Sequence, residues 1–144
     1  MFMYQIQYHG GIEMPDPVQH FEIYGDNPEK LASFYKEVFD WKFEPVPGME
    51  YWTIKTVETD EKNMPTKPGA INGGLMKRPM PDTPRSFVNY VTVTSLEESL
   101  GVLQRQGGKV IRSKTAVPKM GWFAVVADPE MNAFGIWQDD KNAK

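Results

Sequence analysis

The two halves of this chain repeat each other, and that constrains its fold more than any other feature. Pro47-Gly48-Met49-Glu50-Tyr51-Trp52-Thr53-Ile54 lines up with Pro118-Lys119-Met120-Gly121-Trp122-Phe123-Ala124-Val125, 71 positions further on. Pro and Met are identical, and the positions after them run aromatic, aromatic, small, β-branched in both copies. Gly73-Gly74-Leu75-Met76 likewise answers Phe134-Gly135-Ile136-Trp137. A repeat of this length makes each copy one supersecondary unit that needs the other to complete a core. With 144 residues in all, the expectation is one domain assembled from two modules.

The order of elements supports the repeat. Val18 to Tyr24 reads as a strand, and Asp26-Asn27-Pro28 as a helix start with an Asx cap and proline in the first turn. Leu31, Phe34, Tyr35 and Val38 then recur at helical spacing and form an apolar stripe suited to cover a sheet. Strands are expected over Trp41 to Val46, Tyr51 to Val57 and Gly69 to Met76, the last with glycines that mark a bulge or a close approach. The second copy runs in the same order. Phe87 to Thr94 is a strand, and Ser95 with Glu98 opens a helix as a capping box. That helix turns Leu96, Leu100 and Leu103 inward and stops at Gly107-Gly108. Lys109 to Val117, Trp122 to Ala127 and Ala133 to Gln138 supply three more strands. The organisation is therefore an arm over residues 1–17, a βαβββ module over 18–78 and a Pro-rich linker over 79–86; a second module over 87–138 and a polar tail over 139–144 follow. The fold class is α+β.

Composition narrows the partners. A net charge of -3 with scattered Lys and Arg offers no basic surface for a nucleic acid. No apolar run approaches the ~20 residues that span a bilayer, and the N-terminus lacks the basic start and apolar stretch of a signal peptide. A cytoplasmic protein with no nucleic-acid or membrane partner is expected. The absence of cysteine removes disulfides, thiolate metal sites and cysteine nucleophiles together. Neither G-x-S-x-G nor G-x-x-x-x-G-K-[ST] occurs.

Particular residues point further. His20-Phe21-Glu22-Ile23, Asp26-Asn27-Pro28-Glu29 and Phe34-Tyr35-Lys36-Glu37-Val38-Phe39-Asp40-Trp41 resemble the opening strand and helix of the vicinal oxygen chelate superfamily, the glyoxalase, bleomycin-resistance and extradiol-dioxygenase group. Asn27 stands where that family usually has Asp. Asp128-Pro129-Glu130-Met131-Asn132 resembles its closing DPxGN turn, with Met131 in place of Gly. The resemblance implies two tandem βαβββ modules whose strands form a curled mixed sheet of half-barrel form around a cavity, with helices on its outer face, and a homodimeric assembly. In the family's enzymes it also implies a divalent metal held by one residue near the start of each module and one on each last strand, acting as a Lewis acid on vicinal oxygens.

On that implied pattern only His20 matches. The other three positions fall at Val88, Gly74 and Gly135, none of which has a side-chain lone pair to offer. A slip of one residue brings in only Asn72, Gly73, Asn89, Phe134 or Ile136. The expectation is no metal and no cofactor.

His20 is then a cavity-lining hydrogen-bonding group, an acid–base residue or an inherited remnant. His9, in the arm, reads as a surface residue. Glu22 shares the strand face of His20 and is either a base or cation-binding carboxylate, or a strand-end Glu paired with a Lys or Arg. The catalytic candidates are thus His20 and Glu22. Ligand-binding candidates are Trp52, Gly74, Val88, Tyr90, Trp122, Gly135 and Trp137, aromatic walls with glycines that leave room for a planar molecule. Tyr51 and Phe123 are alternatives to their tryptophan neighbours, and all these aromatics equally suit a filled interior.

Three functions follow. One is a metal-independent protein that binds a small planar or aromatic molecule, of the bleomycin-resistance kind. Another is a lyase, isomerase or dioxygenase-like enzyme, with metal or through His20 and Glu22. The last is a structural subunit.

Overall fold

The computed structural model describes residues 7–9 and 12–144, with side chains from Pro15 onward. Of the expected arm, residues 1–6, 10 and 11 lie outside the described residues, and so does the side chain of His9. Within the arm, β1 (Gln7–His9) pairs antiparallel with β2 (Ile12–Met14).

The rest of the chain forms two compact units, Gln19–Asn89 and Tyr90–Lys144, the latter joined by the described part of Met1–Val18. The division falls inside β7. The first unit holds β3 (Val18–Gly25), α1 (Pro28–Phe39), β4 (Lys42–Pro45), β5 (Tyr51–Lys55) and β6 (Gly73–Lys77). Its strands lie in the order β4-β5-β6-β3, antiparallel except for the parallel pair β6 and β3. The second holds β7 (Val88–Thr92), α2 (Leu96–Arg105), β8 (Lys109–Val117), β9 (Gly121–Ala127) and β10 (Ala133–Asp139). Its order is β7-β10-β9-β8, again with one parallel pair, β10 and β7. The repeat of strand, helix and three strands is present, and the architecture is α+β.

Local chemistry sets the helix ends. Asn27 Oδ1 accepts from the Lys30 amide at 3.2 Å and Ser95 Oγ from the Glu98 amide at 3.3 Å, each satisfying one amide that has no intrahelical partner. Asp40, in the left-handed region at φ 60, closes α1, and Gly107 at φ 93 follows the end of α2.

Each helix covers one face of its own strands. In the first unit Phe21, Ile23, Ile54 and Leu75 form the buried cluster, with Leu31, Tyr35, Phe43 and Trp52 packed on it. In the second, Val93, Leu96, Ala124, Val126 and Ile136 do so, with Leu100, Leu103, Trp122 and Phe134 against them. The expected stripe on α1 is only partly used. Leu31 and Tyr35 pack inward, whereas Phe34 and Val38 stay 55% and 53% exposed, because they sit on the flank of the arc that touches the strands.

The sequence repeat and the structural repeat differ by one residue along one strand. The turns do match: the Met49 amide donates to Val46 O at 3.2 Å and the Met120 amide to Val117 O at 3.0 Å. Beyond them, Gly74 pairs with Thr53 and Gly135 with Val125, so Ile54 corresponds to Val126 rather than Val125. Both Ile54 and Val126 are fully buried. A slip of one reverses the face of every side chain.

Between the modules, residues 78–86 are strapped down by Arg78, whose side chain is 8% exposed. Its guanidinium donates to Asp26 Oδ1 at 3.1 Å, to Thr83 O at 3.1 Å and to Tyr24 O at 3.3 Å. The closing turn keeps its form despite the missing glycine. Asp128 Oδ1 accepts from the Glu130 amide at 2.9 Å and the Asn132 amide at 3.0 Å, and Met131 adopts φ 65. Holding a side-chain-bearing residue there costs about 1 kcal/mol. The bonds from Asn132, side chain first and then backbone, followed by that from Glu130, hold the Asp128 carboxyl below its ordinary range.

Candidate functional site

Strand alternation sorts the candidate residues by face. On β3, Phe21 and Ile23 point into the helix-covered cluster, so His20, Glu22 and Tyr24 point the other way. Glu22 lies directly across from Gly74, and Gly74 directly across from Thr53. Tyr51 therefore shares the face of His20 and Glu22, while Trp52 sits with Ile54 and Leu75 on the opposite one.

The polar side chains on this face form a connected group. Tyr51 OH donates to Glu22 Oε2 at 3.0 Å, and Tyr24 OH donates to Glu22 Oε1 at 3.1 Å. His20 Nε2 lies 3.1 Å from Tyr51 OH and 3.6 Å from Glu22 Oε2. Glu22 has a side chain 13% exposed against 37% for His20, so the carboxylate sits below and the imidazole edge reaches toward solvent. One carboxylate thus takes a phenol on each oxygen, and one phenol links it to the imidazole. Charge-assisted bonds of this kind are the stronger class.

Tyr51 is held protonated. Burial pushes its phenol far above the ordinary 10.0, and the adjacent Glu22, by charge and by hydrogen bond, and then Tyr24 push it the same way. The sign for stability follows. Below pH 10.0 the phenol is protonated in the folded and unfolded chain alike, and its stabilisation is complete. Above that pH the unfolded chain ionises while folded Tyr51 resists, so stability falls as pH rises. Unfolding of Tyr51→Phe by urea, followed from neutral to strongly alkaline pH, is expected to show a shallower loss than the parent. An unchanged alkaline slope would remove this role.

The glycines do not leave open space. A Cβ built on Gly74 coincides with the Tyr51 ring and hydroxyl, and one on Gly135 coincides with the Tyr90 ring. Gly74 and Gly135 are required by close packing of a tyrosine, which corrects the reading of them as room for a ligand.

The other candidates divide by unit. Gly135 pairs with Tyr90 and Trp137 with Thr92, so Val88, Tyr90 and Thr92 lie on the face of Gly135 and Trp137. Phe123 pairs with Trp137 and joins that face, carrying the Arg112 guanidinium 5.0 Å from its ring centroid. Trp122 is on the opposite side, packed on the buried cluster, with Nε1 donating to Asp140 at 2.9 Å. Trp52 and Trp122 are therefore wall residues of the helix-covered face. Their neighbours Tyr51 and Phe123, the alternatives to them, lie on the other face.

The metal that the family pattern implies does not fit these residues. His20 is the only donor at the four equivalent positions, and among the described residues no three His, Cys, Asp or Glu side chains group together. At Gly74 a phenol fills the volume through which a ligating side chain would have to grow. Sequence reasoning weighed Tyr51 only as an alternative to Trp52 and overlooked its bond to Glu22. An aromatic residue two positions before a half-buried β-branched one, Thr53, which lies across from Gly74, was the available signal but required the pairing register.

Two βαβββ units, each with a parallel pair between first and last strand, define a duplicated α+β protein of the vicinal oxygen chelate class. The chain belongs to the Glyoxalase/Bleomycin resistance protein/Dioxygenase superfamily, whose family model matches residues 18–136. It is 26% identical over 118 residues to CFP32 of Mycobacterium tuberculosis, a glyoxylase by provisional name. The match covers 80% of this chain but only 41% of that protein, so the chain spans about two fifths of the relative's length. Among solved structures, a superfamily member from Vibrio splendidus is similar with TM-score 0.57 and 13% identity, covering 86% of this chain and 99% of that one. Methylmalonyl-CoA epimerase of Streptomyces coelicolor is similar with TM-score 0.57 and 9% identity, covering 85% and 96%. At those identities the likeness is one of fold.

Proposed function

We propose that this chain is a glyoxalase/bleomycin-resistance-like protein that binds a small planar or aromatic molecule without a metal, using His20, Glu22 and Tyr51 as polar anchors. The observation that carries the reading is the Tyr51 ring seated over Gly74 and bonded to Glu22. It puts a neutral phenol where the family pattern implies a metal-binding side chain. Buried, directional polar groups beside apolar surface are what orient a small ligand.

A second reading has one observation in its favour. The His20–Tyr51–Glu22 chain of contacts is an arrangement able to move a proton, which suits a lyase or isomerase using His20 and Glu22 as acid–base groups.

A thermal-shift screen of planar aromatic compounds, run on protein purified without chelator, tests the proposal. Ligand at a hundred times its Kd should stabilise the fold by about 2.7 kcal/mol. Metal content should be far below one ion per chain. Stoichiometric metal lost together with ligand binding on chelation would overturn the reading.

Our reading includes a homodimer in the cytoplasm. Strand β4 ends the order of the first unit and β8 that of the second, and both are edges that a partner copy would cover. No described helix is long and apolar enough to cross a membrane. Light scattering that returns the mass of a single chain would end the dimer proposal.

A further inference from the structure

We propose that Tyr51 is a positioning residue that joins Glu22 to His20 and commits the His20 imidazole to the tautomer protonated at Nε2. The inference rests on the reading of His20 as the exposed anchor and adds what determines its state.

The argument is one of proton counting. A phenol carries a single proton, and that of Tyr51 is given to Glu22 Oε2 at 3.0 Å. The second oxygen of Glu22 accepts from Tyr24 at 3.1 Å, so the carboxylate acts as acceptor on both sides. Tyr51 then has only lone pairs left for the imidazole nitrogen 3.1 Å away. His20 Nε2 must therefore bring the hydrogen. In the neutral ring, a proton on Nε2 leaves Nδ1 as the acceptor. Tyr51, 31 residues away in sequence, and the Glu22 carboxylate 3.6 Å from the same nitrogen both favour the hydrogen on Nε2.

The backbone makes room for the arrangement. Tyr51 reaches Glu22 only because Gly74, lying between β5 and β3 on β6, has no side chain. Any Cβ at position 74 would occupy the same volume as the ring. Tyr51 and Gly74 are thus one device: the glycine makes the space, and the phenol fills it and links the two anchors.

The chain has two histidines, so His9→Gln leaves His20 as the only imidazole. Long-range proton–nitrogen spectra of that 15N-labelled protein, recorded at rising pH until the ring is neutral, report the tautomer directly. The Nε2-protonated form is expected to exceed the other by about tenfold, the ratio that one net hydrogen bond supports. In the Tyr51→Phe background, which keeps the ring over Gly74, the ratio should fall severalfold. A purely structural role for Tyr51 would lower the unfolding midpoint and leave this ratio unmoved. A ring protonated mainly at Nδ1 in the parent, or a ratio unchanged by Tyr51→Phe, overturns the proposal. The parent measurement stands even if the variant fails to fold. No ligand is needed, so this result and that of the ligand screen fail independently.

Discussion

Gly74→Glu, which puts a carboxylate at the last-strand position where the resemblance implies a metal-holding residue, is expected to destabilise the protein by about 3 kcal/mol or more and to gain no stoichiometric metal. Two costs add. The new Cβ meets the Tyr51 ring, so the phenol must leave its seat and its bond to Glu22. The new carboxylate then lies directly across the strands from Glu22, like charge beside like charge. Urea unfolding at neutral pH, with and without divalent metal, measures both points. The decisive comparison is a double-mutant cycle. Measured in a Tyr51→Ala background, the Gly74→Glu cost should fall to about 1 kcal/mol, since only the charge effect is left. A cost within about 0.5 kcal/mol of zero in the parent, as for an ordinary surface change, would show that Tyr51 does not fill this space.

Leu75→Ala, one residue along β6, should cost about 2–5 kcal/mol for a different reason. Leu75 is 0% exposed and packs with Phe21, Ile23 and Ile54 beneath α1. Truncation removes apolar burial and leaves a cavity that the two-residue period of the strand prevents its neighbours from filling. Val38→Ala is the matched control. Val38 is 53% exposed on α1, and its loss should cost well under about 1 kcal/mol. Leu75 lies on the face opposite Glu22 and Tyr51, so the variant, once folded, should keep the His20 tautomer of the parent. Thermal unfolding of both variants tests this, and equal midpoints would mean that the helix-covered face has been misassigned.

Much of the fold was legible because its signals are local. Asn27 and Ser95 cap the helices they precede, since a side-chain oxygen reaches an amide three residues on whatever the rest of the chain does. Strands β8, β9 and β10 lie within a residue of where their composition places them. The Pro-x-Met turn repeats in structure as it does in sequence. The glycine run before β6 was less legible: Gly69 to Asn72 looked like strand, yet pairing begins only at Gly73, with Asn72 turned to accept from the Thr56 amide at 2.8 Å.

His20 and Glu22 were found together because two positions on one strand share a face by the period of two. The choice between Trp52 and Tyr51, and between Trp122 and Phe123, was open in the sequence, because only strand pairing says which neighbour packs on the helix-covered cluster.

The amino-acid order alone therefore determined the elements, the duplication, the family and the loss of metal donors at Val88, Gly74 and Gly135, because each depends on residue type and near-neighbour spacing. Only the tertiary structure decided what replaced them. Tyr51 and Glu22 stand 29 residues apart and meet through strand register, which is set by the pairing of β5, β6 and β3 together and by burial of the face beneath them.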